Sequence, residues 1–384
     1  MADADLATRA PESDAAEDSS ASPAPTTTAG DSGPEAGAKA GAGAAGASIS
    51  VAADSGSAVG ADPKLCDDCV TDRPTPNGRT PAGEVCKLGD VDVYISRPSD
   101  YPHASARLLL LLTGGTGMLS TNNQIQADMY ADEGFVVVMP DLFGGDVAPN
   151  AAAMAEAEDR EGSVSGSGGG SGSSFLDLFK IKAVETVKSF MIDMWLARHT
   201  EAKVLPLLHR VLDAARDEFA DAVSSGGGVY AVGYCFGGRY VLLLAGDKGK
   251  TTAPAAAAVE TPSSRANAAA SADANAADVD SVMLDTKPLI KAGVIAHATL
   301  VSPDDFQGLQ APISMVCVEN DPMFPDAVRT AGEDYLSEHD VEHEVQVYPG
   351  VPHGFAVVGD YADESIKVAQ ATAFEQMLKW LKDH

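Results

Sequence analysis

Residues 229–239 read VYAVGYCFGGR, an apolar run that turns at a cysteine flanked by glycines. The four residues before Gly233 predict a buried strand, and the run from Arg239 to Leu244 predicts a helix. The form Gly-x-nucleophile-x-Gly between a strand and a helix is typical of a nucleophile elbow, a turn that raises the attacking side chain above a sheet. The segment therefore predicts an α/β fold with Cys235 as its nucleophile.

A cysteine between glycines has a second interpretation, because it can be a buried structural residue in a closely packed turn. The strand before Cys235 and the helix after it favour the functional interpretation. The N-terminus of a helix also favours thiolate over thiol, since its backbone N–H groups and dipole stabilise negative charge.

The apolar pattern on either side of this turn predicts an alternation of strands and helices. Continuous apolar runs, which are typical of strands buried on both faces, occur at Leu108–Leu112, Phe135–Met139, Val229–Val232 and Ile313–Val318. Residues 91–95 alternate as a half-exposed edge strand does, and residues 345–348 predict one more strand. Helical patterns lie between them, at 123–132, 183–196, 203–219, 327–339 and 365–382. We therefore expect a mostly parallel sheet with helices on both faces.

Three stretches contain little that could form a core. Residues 1–64 are rich in Ala, Gly, Ser and Asp, and they predict a long disordered acidic tail before a domain at 65–384. Two low-complexity insertions are expected inside that domain, near residues 160–175 and 250–280.

The composition excludes several partners and compartments. The formal charge of −30 would repel phosphate backbones, so nucleic acid is not expected as a partner. Five cysteines are few for 384 residues, which argues against a disulfide scaffold. The N-terminus lacks the pattern of a signal peptide and no apolar run is long enough for a membrane span, so a cytoplasmic protein is expected. The sequence does not distinguish a monomer from a dimer.

An acid and a histidine follow the predicted nucleophile in the order that this kind of site requires. Asp321 comes after the strand 313–318, and His353 comes after the strand 345–348. His353 is the predicted base that deprotonates Cys235, and Asp321 is the predicted carboxylate that orients His353. Glu319 is the reserve candidate for the acid. His297 is a candidate neighbour of these residues, although a hydrogen-bonded structural histidine is the plainer interpretation.

Acyl transfer also needs hydrogen-bond donors for the oxyanion that develops during the reaction. The backbone N–H of Phe236, directly after the cysteine, is the first predicted donor. The glycine-rich loop 113–117 is expected to supply the second, from Gly115. That loop lacks the spacing of a phosphate-binding loop, so no nucleotide cofactor is expected.

Cys66 and Cys69 form a Cys-x-x-Cys pair, which resembles half of a zinc site. No second pair follows at a fitting distance and no histidine lies near Cys86, so neither a metal nor a cofactor is expected. A redox role is not expected either, because the pair follows the predicted tail instead of a strand.

Five segments together resemble the dienelactone hydrolase family, in particular its eukaryotic branch. They comprise 122–128, 138–146, 231–238, 319–325 and 353–356, so the resemblance covers about 65–384 apart from the insertions. It implies an α/β-hydrolase fold and a Cys-His-Asp triad that acts on lactones and small esters. Cys235, His353 and Asp321 stand at the triad positions.

Two positions depart from the bacterial pattern of that family. Gly114 stands where those members have a glutamate that controls the ionisation of the cysteine, and the sequence does not show which carboxyl group could replace it. Val357 and Val358 occupy the stretch where an arginine helps to hold the carboxylate of the dienelactone. We therefore expect an uncharged pocket for a neutral small-molecule ester, lactone or thioester.

Two other functions remain open from the sequence alone. A thioesterase or acyltransferase would use the same turn and the same oxyanion donors. A hydrolase-like binding protein without activity would fit the loss of the glutamate at Gly114. The complete order of nucleophile, acid and histidine favours an ester or lactone hydrolase that forms an acyl-cysteine intermediate.

Overall fold

The computed structural model describes residues 65–150, 189–250 and 287–384, which belong to one unit, Gly60–His384. The described residues form one sheet of eight strands in the order β1-β2-β4-β3-β5-β6-β7-β8. β1 and β2 run antiparallel to their neighbours, and β3 to β8 are parallel to one another. The strands are β1 Glu84–Leu88, β2 Val91–Ser96, β3 Arg107–Leu112, β4 Phe135–Pro140, β5 Val229–Tyr234, β6 Ala292–Ala296, β7 Ile313–Val318 and β8 His343–Tyr348.

Helices cover both faces of the sheet, as the apolar runs predicted. Alternate residues of β3 point to opposite faces, so Leu108 and Leu110 belong to one apolar cluster whereas Leu109 and Leu111 belong to the other. Both sets are fully buried, which explains why this strand is a continuous apolar run. The helices are α1 Asp67–Val70, α2 Thr121–Asp132, α3 Glu201–Glu218, α4 Ala220–Gly226, α5 Phe236–Ala245, α6 Asp326–Glu338 and α7 Glu364–Asp383, and residues 189–198 are also helical.

The α/β-hydrolase type of fold is confirmed, but the prediction that 91–95 forms the edge of the sheet was wrong. β2 pairs with β4 on one side and with β1 on the other, and only Asp92 of β2 is exposed. β1 is the true edge strand, and its alternating exposure left no continuous apolar run in the sequence. The predicted tail, the insertion near 160–175 and nearly all of the one near 250–280 lie outside the described residues.

No helix in the described ranges combines the length and the apolar character that a transmembrane span requires.

Candidate active site

Cys235 lies at the sharp turn between β5 and α5. Its backbone has φ 50° and ψ −113°, a left-handed region that non-glycine residues rarely occupy. The turn is fixed by hydrogen bonds, because the Cys235 N–H donates to the Ala296 carbonyl at 3.1 Å and the Cys235 carbonyl accepts from the Thr299 N–H at 3.1 Å. The strained conformation therefore holds the thiol at the carboxyl end of the parallel strands.

Two glycines permit this turn because the backbone approaches too closely for a side chain. A Cβ atom at position 233 would lie 2.5 Å from the carbonyl oxygen of Gly237. A Cβ atom at position 237 would collide with the carbonyl oxygen of Leu112 in β3. The glycine spacing in the sequence thus follows from the packing of α5 against β3 and β5.

His353 and Asp321 form a buried pair on the loops that follow β8 and β7. The Nδ1 of His353 lies 2.7 Å from the Oδ2 of Asp321, and the two residues are 7% and 3% exposed. The other carboxylate oxygen of Asp321 accepts a hydrogen bond from the Met323 N–H at 2.9 Å, which orients the carboxylate. Burial by itself would lower the pKa of His353, but the hydrogen bond that its Nδ1–H donates to the Asp321 carboxylate and the nearby Cys69 thiol raise the pKa above its ordinary value.

His297 lies at the end of β6, beside His353. Its ring is fully buried, and its centroid is 5.0 Å from that of the His353 ring in an edge-to-face arrangement. Burial and the neighbouring His353 hold the pKa of His297 well below its ordinary value, so the imidazole is neutral. The structure therefore places His297 against the side of His353. Neither of its ring nitrogens has a hydrogen-bond partner among the described residues, so the interpretation as a hydrogen-bonded structural histidine was wrong.

Cys235, His297 and His353 line one cavity of about 30 Å³. This volume has room for a water molecule or two, so a larger ligand must displace some of the lining side chains. The glycine-rich loop after β3 forms another part of the wall, where a Cβ atom at Gly114 would lie 3.1 Å from the Cβ of Cys235. Gly115 follows in the same loop but is not among the lining residues.

Cys69 of α1 also lines this cavity beside Cys235 and His353, although the sequence analysis did not place it in the site. Its Sγ lies within 4.8 Å of a ring nitrogen of His353, and it is 3.0 Å from the Sγ of Cys66. The contact with Cys235, together with burial, raises the pKa of Cys69 to about 11, although the Cys66 thiol opposes this effect. Cys69 is therefore a neutral thiol near neutral pH. The Cys-x-x-Cys pattern was the only signal of it in the sequence.

The cavity wall also contains charged residues, so the expectation of an uncharged pocket was wrong. Asp68, Asp72 and Arg73 all line the cavity. Arg73 forms an ion pair with Asp68, and its guanidinium lies 5.2 Å from the centroid of the Tyr361 ring. These residues come from the segment after Cys66, which sequence analysis had not connected with the site.

The structure thus brings together Cys235, Asp321 and His353, which the sequence had placed on three separate loops. Phe236 is the first residue of α5, where a backbone N–H has no partner within its own helix. Glu319 is exposed, and Asp321 is the carboxylate that contacts His353. A thiol beside a turn of this kind and an imidazole paired with a carboxylate are groups that can carry out acyl transfer.

Comparison with known proteins gives the chain a family. A sequence model described as "Dienelactone hydrolase family" matches residues 91–277 and 279–384. Hydrolase pyvD of Aspergillus violaceofuscus is 26% identical over 79% of this chain and 90% of that protein. Hydrolase tropI of Talaromyces stipitatus is 24% identical over 79% of this chain and 91% of that protein. A solved structure of an esterase from Thermogutta terrifontis has a TM-score of 0.46 and 14% identity, and covers 78% of this chain and 92% of its own.

Proposed function

The chain belongs to the dienelactone hydrolase family and is a hydrolase of carboxylic ester bonds, and from this premise we propose that it cleaves a small neutral ester or lactone through an acyl-cysteine intermediate. Cys235 is the nucleophile of this proposal, His353 the general base and acid, and Asp321 the carboxylate that orients His353. The single observation that supports it best is the cavity lined by both Cys235 and His353, with Asp321 2.7 Å behind the imidazole.

The first half of the reaction forms the acyl-enzyme. His353 takes the proton of the Cys235 thiol, and the thiolate attacks the carbonyl carbon of the ester. The backbone N–H of Phe236, at the start of α5, donates one hydrogen bond to the resulting oxyanion. The glycine-rich loop after β3, whose Gly114 lines the cavity, supplies the second donor. The carbon–oxygen bond of the ester then breaks, and His353 returns its proton to the departing alkoxide.

The second half releases the acid. His353 takes a proton from a water molecule, and the oxygen of that water attacks the thioester carbonyl carbon. The carbon–sulfur bond then breaks, and His353 returns the proton to the Cys235 sulfur. Asp321 stabilises the positive charge that His353 carries in both halves, because its carboxylate is buried beside the Nδ1 atom.

The charges around the cavity favour a neutral substrate. Two carboxylates, Asp68 and Asp72, and one guanidinium, Arg73, line the wall, and the guanidinium is already paired with Asp68. An anionic substrate would therefore meet no free positive group among these side chains, and it would be repelled by the second carboxylate.

A substrate panel tests this proposal. Small aryl esters, lactones and thioesters are offered to the wild type and to Cys235→Ala, and kcat/KM is measured for each. We expect the substitution to lower kcat/KM by at least about 10³-fold on every substrate that the wild type cleaves. Cys86→Ala is the matched control, because Cys86 is a half-buried cysteine on β1 that does not line the cavity.

The covalent intermediate is tested separately. The wild type is mixed with an excess of a slowly hydrolysed ester, quenched, digested and examined by mass spectrometry. An acyl group on the peptide that contains Cys235 supports the proposal. An acyl group on Cys69 instead, or equal turnover by Cys235→Ala, would contradict it.

A further inference from the structure

Three potential metal ligands converge at the edge of the cavity. One ligand atom each from Cys66, Cys69 and His353 lies within 4.8 Å of the other two. Cys69 and His353 are buried and Cys66 is half-buried. The sequence does not predict this grouping, because the Cys-x-x-Cys pair and the histidine are far apart in the chain.

We propose that Cys66, Cys69 and the Nε2 of His353 form a binding site for Zn²⁺. Two thiolates and one imidazole bind Zn²⁺ in preference to the hard cations Mg²⁺ and Ca²⁺, which take oxygen ligands. The three protein ligands leave one position of a tetrahedral ion open, whereas a closed structural site has four protein ligands.

The present geometry requires only small shifts to accept the ion. Tetrahedral coordination with zinc–sulfur bonds of about 2.3 Å places two sulfur atoms about 3.8 Å apart. The Sγ atoms of Cys66 and Cys69 are 3.0 Å apart, so they must separate by about 0.8 Å. Cys66 is the N-cap of the four-residue helix α1, and rotation of its half-buried side chain can provide that separation.

The imidazole is oriented as a zinc ligand. Its Nδ1 is held by the Asp321 carboxylate at 2.7 Å, which directs the Nε2 to the other side of the ring. Within the described part of the chain, that buried Nε2 has no hydrogen-bond partner. A carboxylate–histidine–zinc arrangement fixes the tautomer of the histidine and strengthens it as a ligand.

The backbone around Cys69 is positioned by the glycine-rich loop after β3. A Cβ atom at Gly115 would lie 2.8 Å from the carbonyl oxygen of Cys69. Any larger residue there would collide with the backbone of α1 at Cys69. The same loop that faces Cys235 therefore also allows the cysteine pair to approach the histidine.

Zinc at this site would stop hydrolysis. The ion would occupy the nitrogen that removes the proton of Cys235, so the metal-bound protein would lack its base. This consequence rests on the proposed function, whereas the metal site itself does not. Its test therefore needs a measurement that is independent of activity.

Cobalt is the probe for the ligands, because a tetrahedral Co²⁺ ion bound to thiolate absorbs visible and near-ultraviolet light. The full-length protein, reduced and freed of metal by a chelator, is titrated with Co²⁺ and then with Zn²⁺. We expect a thiolate-to-cobalt band that Zn²⁺ abolishes. Cys66→Ser, Cys69→Ser and His353→Ala should each weaken the affinity by at least about 10-fold, while Cys86→Ser leaves it unchanged.

Alkylation of the wild type keeps the test independent of any variant that fails to fold. Zn²⁺ should slow the reaction of iodoacetamide with Cys66 and Cys69 at least about 10-fold, while Cys86 in the same sample reacts at an unchanged rate. The proposal is overturned if Zn²⁺ protects neither cysteine, or if Co²⁺ gives no thiolate band. It is also overturned if the two thiols react only after treatment with a reductant, because they would then form a disulfide.

Discussion

Cys235 combines a strained backbone with the role of nucleophile that we propose for it. Its left-handed backbone costs on the order of 1–3 kcal/mol, and the surrounding hydrogen bonds from β6 and Thr299 keep it in place. Replacement of a neighbouring glycine should therefore disturb the turn more than removal of the thiol itself.

Gly237→Ala tests whether the turn at Cys235 depends on the glycine beside it. The added methyl group would collide with the carbonyl oxygen of Leu112, so α5 must move away from β3. We expect a loss of about 1–3 kcal/mol in the free energy of unfolding, measured with urea, and a loss of ester hydrolysis. Cys235→Ala should lose hydrolysis without that loss of stability. Full activity of Gly237→Ala would show that the turn does not need this close approach.

Asp321→Ala tests the role of the acid. The substitution removes the only carboxylate that contacts the His353 Nδ1 among the described residues, so the imidazole loses its orientation. We expect kcat to fall by about 10²–10⁴-fold with little change in KM. Glu319→Gln is the control, because Glu319 is exposed and follows the same strand. Comparable losses in both variants would contradict the assignment of Asp321.

At the scale of whole elements, an ion pair links the helix behind Cys235 to the loop after β6. Arg239 of α5 donates to both carboxylate oxygens of Asp305, at 3.1 and 3.0 Å, and Asp305 also accepts from the Ser302 N–H at 2.8 Å. Burial would raise the pKa of Asp305, but the hydrogen bonds from Arg239 and Ser302 outweigh it and lower the pKa. The pair therefore stabilises the folded protein while Asp305 is ionised.

Asp305→Asn should lower the free energy of unfolding at pH 7 by about 3 kcal/mol, because it removes the buried carboxylate that pairs with Arg239 and leaves the guanidinium with the partly exposed Glu201 at 2.8 Å. A carboxyl group with a lowered pKa contributes its stability above the unfolded-state value near 3.8 and loses it as the pH falls through the lower folded-state value. The difference between variant and wild type should therefore shrink below about pH 4. Asp304→Asn, at an exposed neighbouring position, is the control. If the difference in unfolding free energy between Asp305→Asn and the wild type does not change with pH, the ion pair does not have this role.

The elements that the sequence predicted best are those whose pattern is set by burial alone. β3, β4, β5 and β7 lie inside the sheet and were visible as continuous apolar runs. β6 was not among the predicted strands, because it has only five residues, AGVIA, and three of them are alanine or glycine, so it shows no distinctive period. β1 was missed because its exposed edge interrupts the apolar pattern.

The residues of the candidate site could be predicted only where each one directly follows a predicted strand of the parallel sheet. The positions of Cys235, Asp321 and His353 after successive strands could be read from the chain, since parallel strands end at the same edge of a sheet. The position of Cys69 within 4.8 Å of His353 has no such signature. It depends on how a four-residue helix before the sheet packs, which neither periodicity nor spacing determines.

At the scale of the whole molecule, removal of residues 1–64 tests whether the proposed catalysis depends on the predicted tail. Their composition predicts a solvated acidic tail, and Leu65 is the first described residue and is buried in the core. Removal of residues 1–64 should therefore leave kcat/KM within about two-fold of the full-length value and the unfolding temperature unchanged within about 2 °C. A marked fall in either quantity would mean that the tail contacts the domain.

The segment from Cys66 to Arg73 lies upstream of position 91, where the match to the family begins, yet it forms part of the cavity wall. Relatives that share the family core but differ in their leading segments would then present different walls to a substrate. We therefore expect substrate selectivity in this protein to depend partly on residues outside the range that the family model matches. Exchange of the leading segment between relatives is the direct way to redirect it.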